Sequence, residues 1–132
     1  MMNLNQNKYM ENSIRTASPT QLLIMLCDGA IRFCKLGMEA IKKKDYIEAG
    51  TYIGKVQNII NELVLTLDLK APVSEGLLKL YDYLLHRLIE SNIKKDIAIV
   101  EEVTQFLVEL KETWMSAALV IRQGNTPGVQ HV

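Results

Sequence analysis

Apolar residues recur along this chain at spacings of three and four in four separate stretches, with a capping residue or a break between one stretch and the next. At 3.6 residues per turn such a series falls on one side of a helix, so each stretch predicts an amphipathic α-helix with a face to bury. The first seam is Leu23, Leu26, Ala30, Phe33/Cys34, Met38 and Ile41. The second is Ala49, Ile53, Val56, Ile60, Leu63 and Leu67, and the third Leu77, Tyr81, Leu84 and Leu88. The fourth is Val100, Val103, Leu107, Leu110, Trp114, Ala117 and Ile121.

The boundaries follow from local chemistry. Ser18-Pro19-Thr20-Gln21 is a capping box with proline at the first helical position, where its missing N–H costs nothing. It opens a helix expected over 19–43. Asp45 caps a second helix over 46–69, with Glu48 in its first turn, and Ala71-Pro72 closes it because the residue before proline is pushed out of the α region. Ser74 is expected to open a third helix over 75–93. Residues 92–95 form a short break, Asp96 caps a fourth helix over 97–123, and Gly124 stands at its C′ position. Asp28 with Arg32, and Lys35 with Glu39, form i,i+4 pairs on a wet face of the first helix.

Four such helices joined by short loops have one economical arrangement, because short connections force neighbours antiparallel. The predicted fold is all-α: an antiparallel up-down-up-down four-helix bundle over 18–123. It carries a flexible N-terminal segment (1–17) and a loose C-terminal tail (124–132) that contains Pro127-Gly128. At 132 residues the chain is one domain. Each seam buries several large side chains at roughly 1.5–3 kcal/mol apiece, large against the entropy of ordering them.

Composition removes several classes of function. Fifteen basic residues balance fifteen acidic ones, so the basic excess of a nucleic-acid binder is missing, and anionic lipid is not attracted by charge. No apolar run reaches the roughly 18 residues of a membrane span, so no direct membrane insertion is expected. The start, MMNLNQNKYMEN, lacks the apolar stretch of a signal peptide, which predicts a cytoplasmic protein. Cys27 and Cys34 lie seven residues apart on one helix, about 10.5 Å by rise, too far for a disulfide, which needs less than about 7 Å. They read as small buried apolar residues.

Catalytic and cofactor chemistry finds no footing. Di-iron bundles need Glu-x-x-His pairs, but Tyr83 precedes His86 and Gly128 precedes His131 at that spacing. No Cys/His cluster has zinc spacing, and no phosphate-binding Gly-x-x-x-x-Gly-Lys occurs. A phosphorylated helical histidine would have to be His86, whose neighbours Asp82 and Glu90 repel a phosphoryl group; it reads as a surface histidine paired with those carboxylates. Lys42-Lys43-Lys44 complements the negative end of the first helix. The expectation is no enzyme and no cofactor.

Two features point outward. Gly50 and Gly54 mark either a tight crossing inside the bundle or a shallow floor for a partner helix. The apolar residues also exceed what four seams need. Helix one adds Leu22, Ile24, Met25 and Ile31, helix two Ile47, Ile59, Val64 and Leu65, and helix four Ile99, Phe106, Val108, Met115, Leu119 and Val120. Such a surplus suggests a partner surface: a groove for an amphipathic helix, or a homodimer face in a self-associating structural bundle without a client.

Particular residues narrow this. Tyr9, Thr16-Ala17-Ser18-Pro19, Leu22-Leu23 and the run Met25-Leu26-Cys27-Asp28-Gly29-Ala30-Ile31-Arg32-Phe33 resemble the opening of the flagellin export chaperones, the FliS family. Ile59-Ile60-Asn61-Glu62-Leu63, Leu67-Asp68, Leu80-Tyr81-Asp82-Tyr83, Arg87-Leu88-Ile89-Glu90-Ser91-Asn92, Leu110 and Trp114 continue the resemblance, from about residue 8 to 121. Cys27 departs from it, since the family often has tyrosine there. The resemblance implies a cytosolic bundle that binds the disordered C-terminal region of flagellin, prevents premature polymerisation and helps deliver it to the flagellar type III export gate. Without client the chain would be a monomer or weak homodimer. It also implies that the segment around Tyr9 packs where client binds. The candidate partner-binding residues are Tyr9, Ile14, Leu22, Met25, Ile47, Gly54, Asn58, Asn61, Leu65, Ile99 and Phe106, with Asn58 and Asn61 bonding the client backbone.

Overall fold

Ser18 starts the first helix in the way its neighbours require. Its Oγ accepts from the Gln21 N–H at 3.2 Å, and the Gln21 side chain accepts from the Ser18 N–H at 2.9 Å. The computed structural model describes residues 17–122 and contains four helices: α1 (Pro19–Lys42), α2 (Tyr46–Leu65), α3 (Val73–Lys94) and α4 (Ile97–Arg122). The expectations for the segment before Ala17, Tyr9 and Ile14 included, for Gly124 and for the C-terminal tail lie outside the described residues, as does the side chain of Ile121.

Between α1 and α2 the chain passes through Lys44 at φ 61°, and Asp45 Oδ1 then accepts from the Glu48 N–H at 3.1 Å. Between α3 and α4 it passes through Lys95 at φ 51°, and Asp96 Oδ1 accepts from the Ala98 N–H at 2.9 Å. Both aspartates cap as expected. The break expected over 92–95 is shorter, because α3 continues to Lys94.

The second connection departs from expectation. The helix expected to reach residue 69 stops at Leu65. Thr66 donates its hydroxyl to the Leu63 carbonyl at 2.6 Å, and Asp68 then organises a compact loop. Asp68 Oδ1 accepts from the Lys70 N–H, and the Asp68 carbonyl accepts from both the Ala71 N–H and the Ser74 hydroxyl. Leu67 still packs on the core from this loop, which is why the apolar period outruns the helix. Ser74 is not a cap. It is a buried residue of the first turn of α3 that ties the loop down, while Pro72 stands at the cap position with no side-chain bond.

Each helix packs on its neighbours in sequence, and α4 returns to pack on α1, so the four form an antiparallel up-down-up-down ring. The α1 contacts with α2 and α4 are the most extensive, and α3 is the more loosely held member. The seams meet inside. Cys27, Cys34, Ile53, Val56, Ile60, Leu63, Tyr81, Leu84, Leu88, Val100, Val103 and Leu107 are fully buried. At the ambiguous position Cys34 faces inward, and Phe33 is half-buried, stacked on Tyr52 with 6.1 Å between centroids. Burial pushes the Cys27 thiol up to about 12, with the Asp28 charge adding to it, and the Cys34 thiol up to about 11.

Much of the apolar surplus goes into widening this core. Ile31 and Ile99 are buried, and Ile59, Val64, Phe106 and Val108 pack against the core half-buried. The expected i,i+4 pairing of Asp28 also gives way to a tertiary one. Its carboxylate meets Lys111 Nζ on α4 at 2.6 Å, tying α1 to α4.

Candidate partner-binding surface

The glycines on α2 locate one edge of the bundle. A Cβ on Gly50 would lie 3.4 Å from Asn92 Oδ1 and 3.6 Å from Lys95 Nζ, so this side of α2 faces the end of α3 closely. One turn further on, a Cβ on Gly54 would meet nothing within 4 Å. The two readings of the pair therefore divide: Gly50 permits a close approach, and Gly54 leaves an open floor.

The α2 candidates gather around that floor. At 100° per residue Ile47, Gly54, Asn58, Asn61 and Leu65 fall within about 60° of one another on the outward face of α2, with Asn61 nearest the Gly50 side that meets α3. Ile47 is 87% exposed and Leu65 77% exposed, and both asparagines are exposed. Across the edge, α3 supplies residues that the sequence reading missed: Leu78, Ile89 and Ile93, all exposed, the last at 78%. A signal for them existed. Leu78, Leu85 and Ile89 repeat the α3 seam Leu77, Leu84 and Leu88 displaced by one residue, which widens the stripe towards α2. The 66–72 loop and the start of α3 carry two more exposed apolar side chains, Leu69 and Val73.

The remaining candidates do not join this edge. Leu22 and Met25 are half-buried on the first turns of α1. Nearby, a cleft of about 480 Å³ is lined by Ile24 of α1 and by Met115, Ser116, Ala118 and Leu119 of α4. Phe106 is half-buried on the α3–α4 edge, edge-on to Tyr83 with 5.9 Å between centroids. Ile99 is corrected: at 5% exposure in the first turn of α4 it is a packing residue and presents no surface to a partner.

A polar clasp closes the α3–α4 edge around Phe106. The Tyr83 hydroxyl donates to Glu102 Oε2 at 2.6 Å, and Arg87 Nε donates to Glu102 Oε1 at 2.7 Å. Arg87 also reaches Glu90 at 3.0 Å, which Lys94 meets at 2.9 Å. The bonds from Tyr83 and then Arg87 hold the Glu102 carboxyl below the usual carboxylate range, and the bond from Lys94 does the same for Glu90. His86 is exposed and, among the described residues, takes only Asp82, with Nδ1 2.9 Å from the backbone oxygen and 3.7 Å from the carboxylate. Glu90, its other expected partner, is engaged by Arg87 and Lys94.

Among the described residues no group of three His, Cys, Asp or Glu side chains could hold a metal ion, and no helix is long and apolar enough to cross a membrane. What the α2–α3 edge offers is apolar area, an open helix floor and two exposed amides.

Known proteins give this surface a context. The sequence model of the family described as "Flagellar protein FliS" matches residues 1–120. A Bacillus subtilis protein named "Flagellar secretion chaperone FliS" is 35% identical over 109 residues, covering 83% of this chain and 82% of the relative. A Salmonella typhimurium protein of the same name is 34% identical, with 79% of each chain covered. The Pseudomonas aeruginosa "Flagellar secretion chaperone FliSB" is 30% identical, covering 83% of this chain and 88% of its own length.

Proposed function

The chain belongs to the FliS family of flagellar secretion chaperones, and from that premise we propose that it binds the disordered C-terminal region of flagellin in the cytoplasm. The bound segment is withheld from premature polymerisation and presented to the flagellar type III export apparatus. The observation that carries this reading is the set of exposed apolar side chains on α2 and α3, Ile47 and Leu65 on either side of the open floor at Gly54 and Leu78 and Ile89 on the next helix.

The physical logic is helix-in-groove recognition. An amphipathic client segment lays its apolar side on Ile47, Leu65, Leu78 and Ile89. The absence of a side chain at Gly54 lets its backbone approach, and Asn58 and Asn61 bond its exposed peptide groups. Folding on binding costs about 2–5 kcal/mol of the gross interaction, so a long interface is needed. The cleft at Ile24, Met115 and Leu119, flanked by Leu22 and Met25, and the patch at Phe106 extend the surface for a client that wraps the bundle. Tyr9 and Ile14 enter this proposal through the family resemblance alone, as competitors for the client surface.

The test is titration of a flagellin C-terminal peptide, followed by far-UV circular dichroism and by size-exclusion chromatography with light scattering. A saturable 1:1 complex with added helical signal is expected. A stable homodimer that ignores the peptide would instead assign these exposed apolar side chains to self-association.

A further inference from the structure

The four helices are not held equally. α1 packs extensively on both α2 and α4, whereas α3 packs on the same two neighbours far less. The residues account for the difference. α3 sets only three apolar side chains into the core, Tyr81, Leu84 and Leu88, and its other buried positions are serines, Ser74 and Ser91. The shorter α2 buries five apolar residues, Ala49, Ile53, Val56, Ile60 and Leu63.

Local defects add to this. α3 alone begins without a side-chain cap, where Ser18, Asp45 and Asp96 cap the other three helices. The Tyr81 hydroxyl is buried with no acceptor among the described residues, a cost that water removes when the helix opens. The first half of α3 stands over a cavity of about 170 Å³, which Val73, Leu77 and Tyr81 line together with Leu23 of α1 and Trp114 of α4. Side chains facing a void lose the contacts that would hold them. The bonds from Tyr83 and Arg87 to Glu102 tie α3 sideways to α4, but they lie at the bundle surface, where such ties contribute little.

Proteins open in cooperative units, and an element with few buried apolar contacts opens at a lower free energy than the whole. We propose that α3 opens as one unit while α1, α2 and α4 stay packed, uncovering a trough one helix wide between α2 and α4. The trough follows from the ring: α2 and α4 flank α3, and both keep their extensive packing on α1. The closed bundle thus holds in reserve a second apolar surface, the inward faces of α2 and α4. This opening needs no client and stands apart from the function proposed above.

Amide hydrogen exchange of the intact chain, followed in ¹H–¹⁵N spectra at rising urea below the unfolding transition, tests this. The slowest α3 amides should be roughly tenfold or more less protected than the slowest amides of α1, α2 and α4. Their protection should also fall less steeply with urea, because opening α3 exposes less surface than unfolding. Equal protection with equal urea dependence would make the bundle one cooperative unit and overturn the proposal. Low protection shared by α3 and α4 overturns it too, because α4 would then leave α1 together with α3.

Ile59→Ala gives an independent reading. The Ile59 Cδ1 lies 3.4 Å from a Cβ built on Gly29, so this half-buried side chain packs on α1. At 100° per residue it stands opposite Gly50 around α2, away from α3. The contact persists when α3 opens. The variant should therefore lower protection in α1 and α2 about tenfold, less than for a fully buried isoleucine, and leave α3 protection unchanged. An equal fall in α3 and α1 would show that α3 exchanges only through global unfolding, and the proposal would be wrong.

Discussion

Replacing Gly54 by alanine should stabilise the bundle. Glycine in a helix interior costs about 0.8–1.0 kcal/mol relative to alanine, and a Cβ here meets nothing within 4 Å, so neither clash nor new packing offsets the gain. For a domain of about 100 residues, with an unfolding entropy of about 2.1 cal/mol/K per residue, 1 kcal/mol corresponds to about 4–5 °C in Tm. Urea unfolding followed at the helix band should show a raised midpoint with an unchanged slope. Gly54→Leu should keep most of the stability gain, since leucine is close to alanine in helix propensity, yet fill the floor of the α2–α3 edge. Flagellin-peptide affinity should then fall at least tenfold, about 1.4 kcal/mol, the least expected if a leucine side chain holds the client backbone away. A lowered midpoint for Gly54→Ala would refute the open floor. Unchanged affinity for Gly54→Leu would remove Gly54 from the binding surface.

Three further outcomes are expected. Ile47→Asp in the first turn of α2 and Leu65→Lys in its last turn alter exposed residues and suit the helix dipole, so stability should stay within about 0.5 kcal/mol by urea unfolding while peptide binding by calorimetry weakens markedly. Glu102 and Glu90 have folded-state pKa values below the ordinary 4.5, so their contribution is fully present above that pH and is lost as pH falls through the lowered values. Glu102→Gln should flatten the stability profile below about pH 4.5 in acid titrations followed by circular dichroism. The raised thiols of Cys27 and Cys34 should react slowly with a disulfide reagent at pH 8 in the native chain and at once in urea; fast native reaction would contradict their burial.

The fold was legible because seam and caps agreed. Ser18 with Gln21, Asp45 with Glu48, and Asp96 each bond as their spacing predicts, and the fully buried positions are seam positions except Cys27 and Ser91. The end of α2 was not legible, because Leu67 keeps the helical period while packing from a loop that Asp68 and Ser74 hold through backbone bonds. Asp28 was read with Arg32, one turn away, but its partner Lys111 comes from a helix distant in sequence, which spacing alone does not register. The exposure of apolar residues was legible on α2, where Ile47 and Leu65 depart from the seam, and not on α3, where the second stripe lies one residue from the seam and resembles a wider core. Ile99 shows the converse error: an off-seam residue that the first turn of α4 turns inward.

The central claim is that client binds along the α2–α3 edge, and backbone amide shift mapping during a flagellin-peptide titration tests it most directly. The account predicts a continuous band of perturbed amides through Ile47, Gly54, Asn58, Asn61 and Leu65 of α2 and Leu78, Ile89 and Ile93 of α3. Saturable binding whose perturbations leave that edge unchanged and fall only on the α1–α4 side would contradict it.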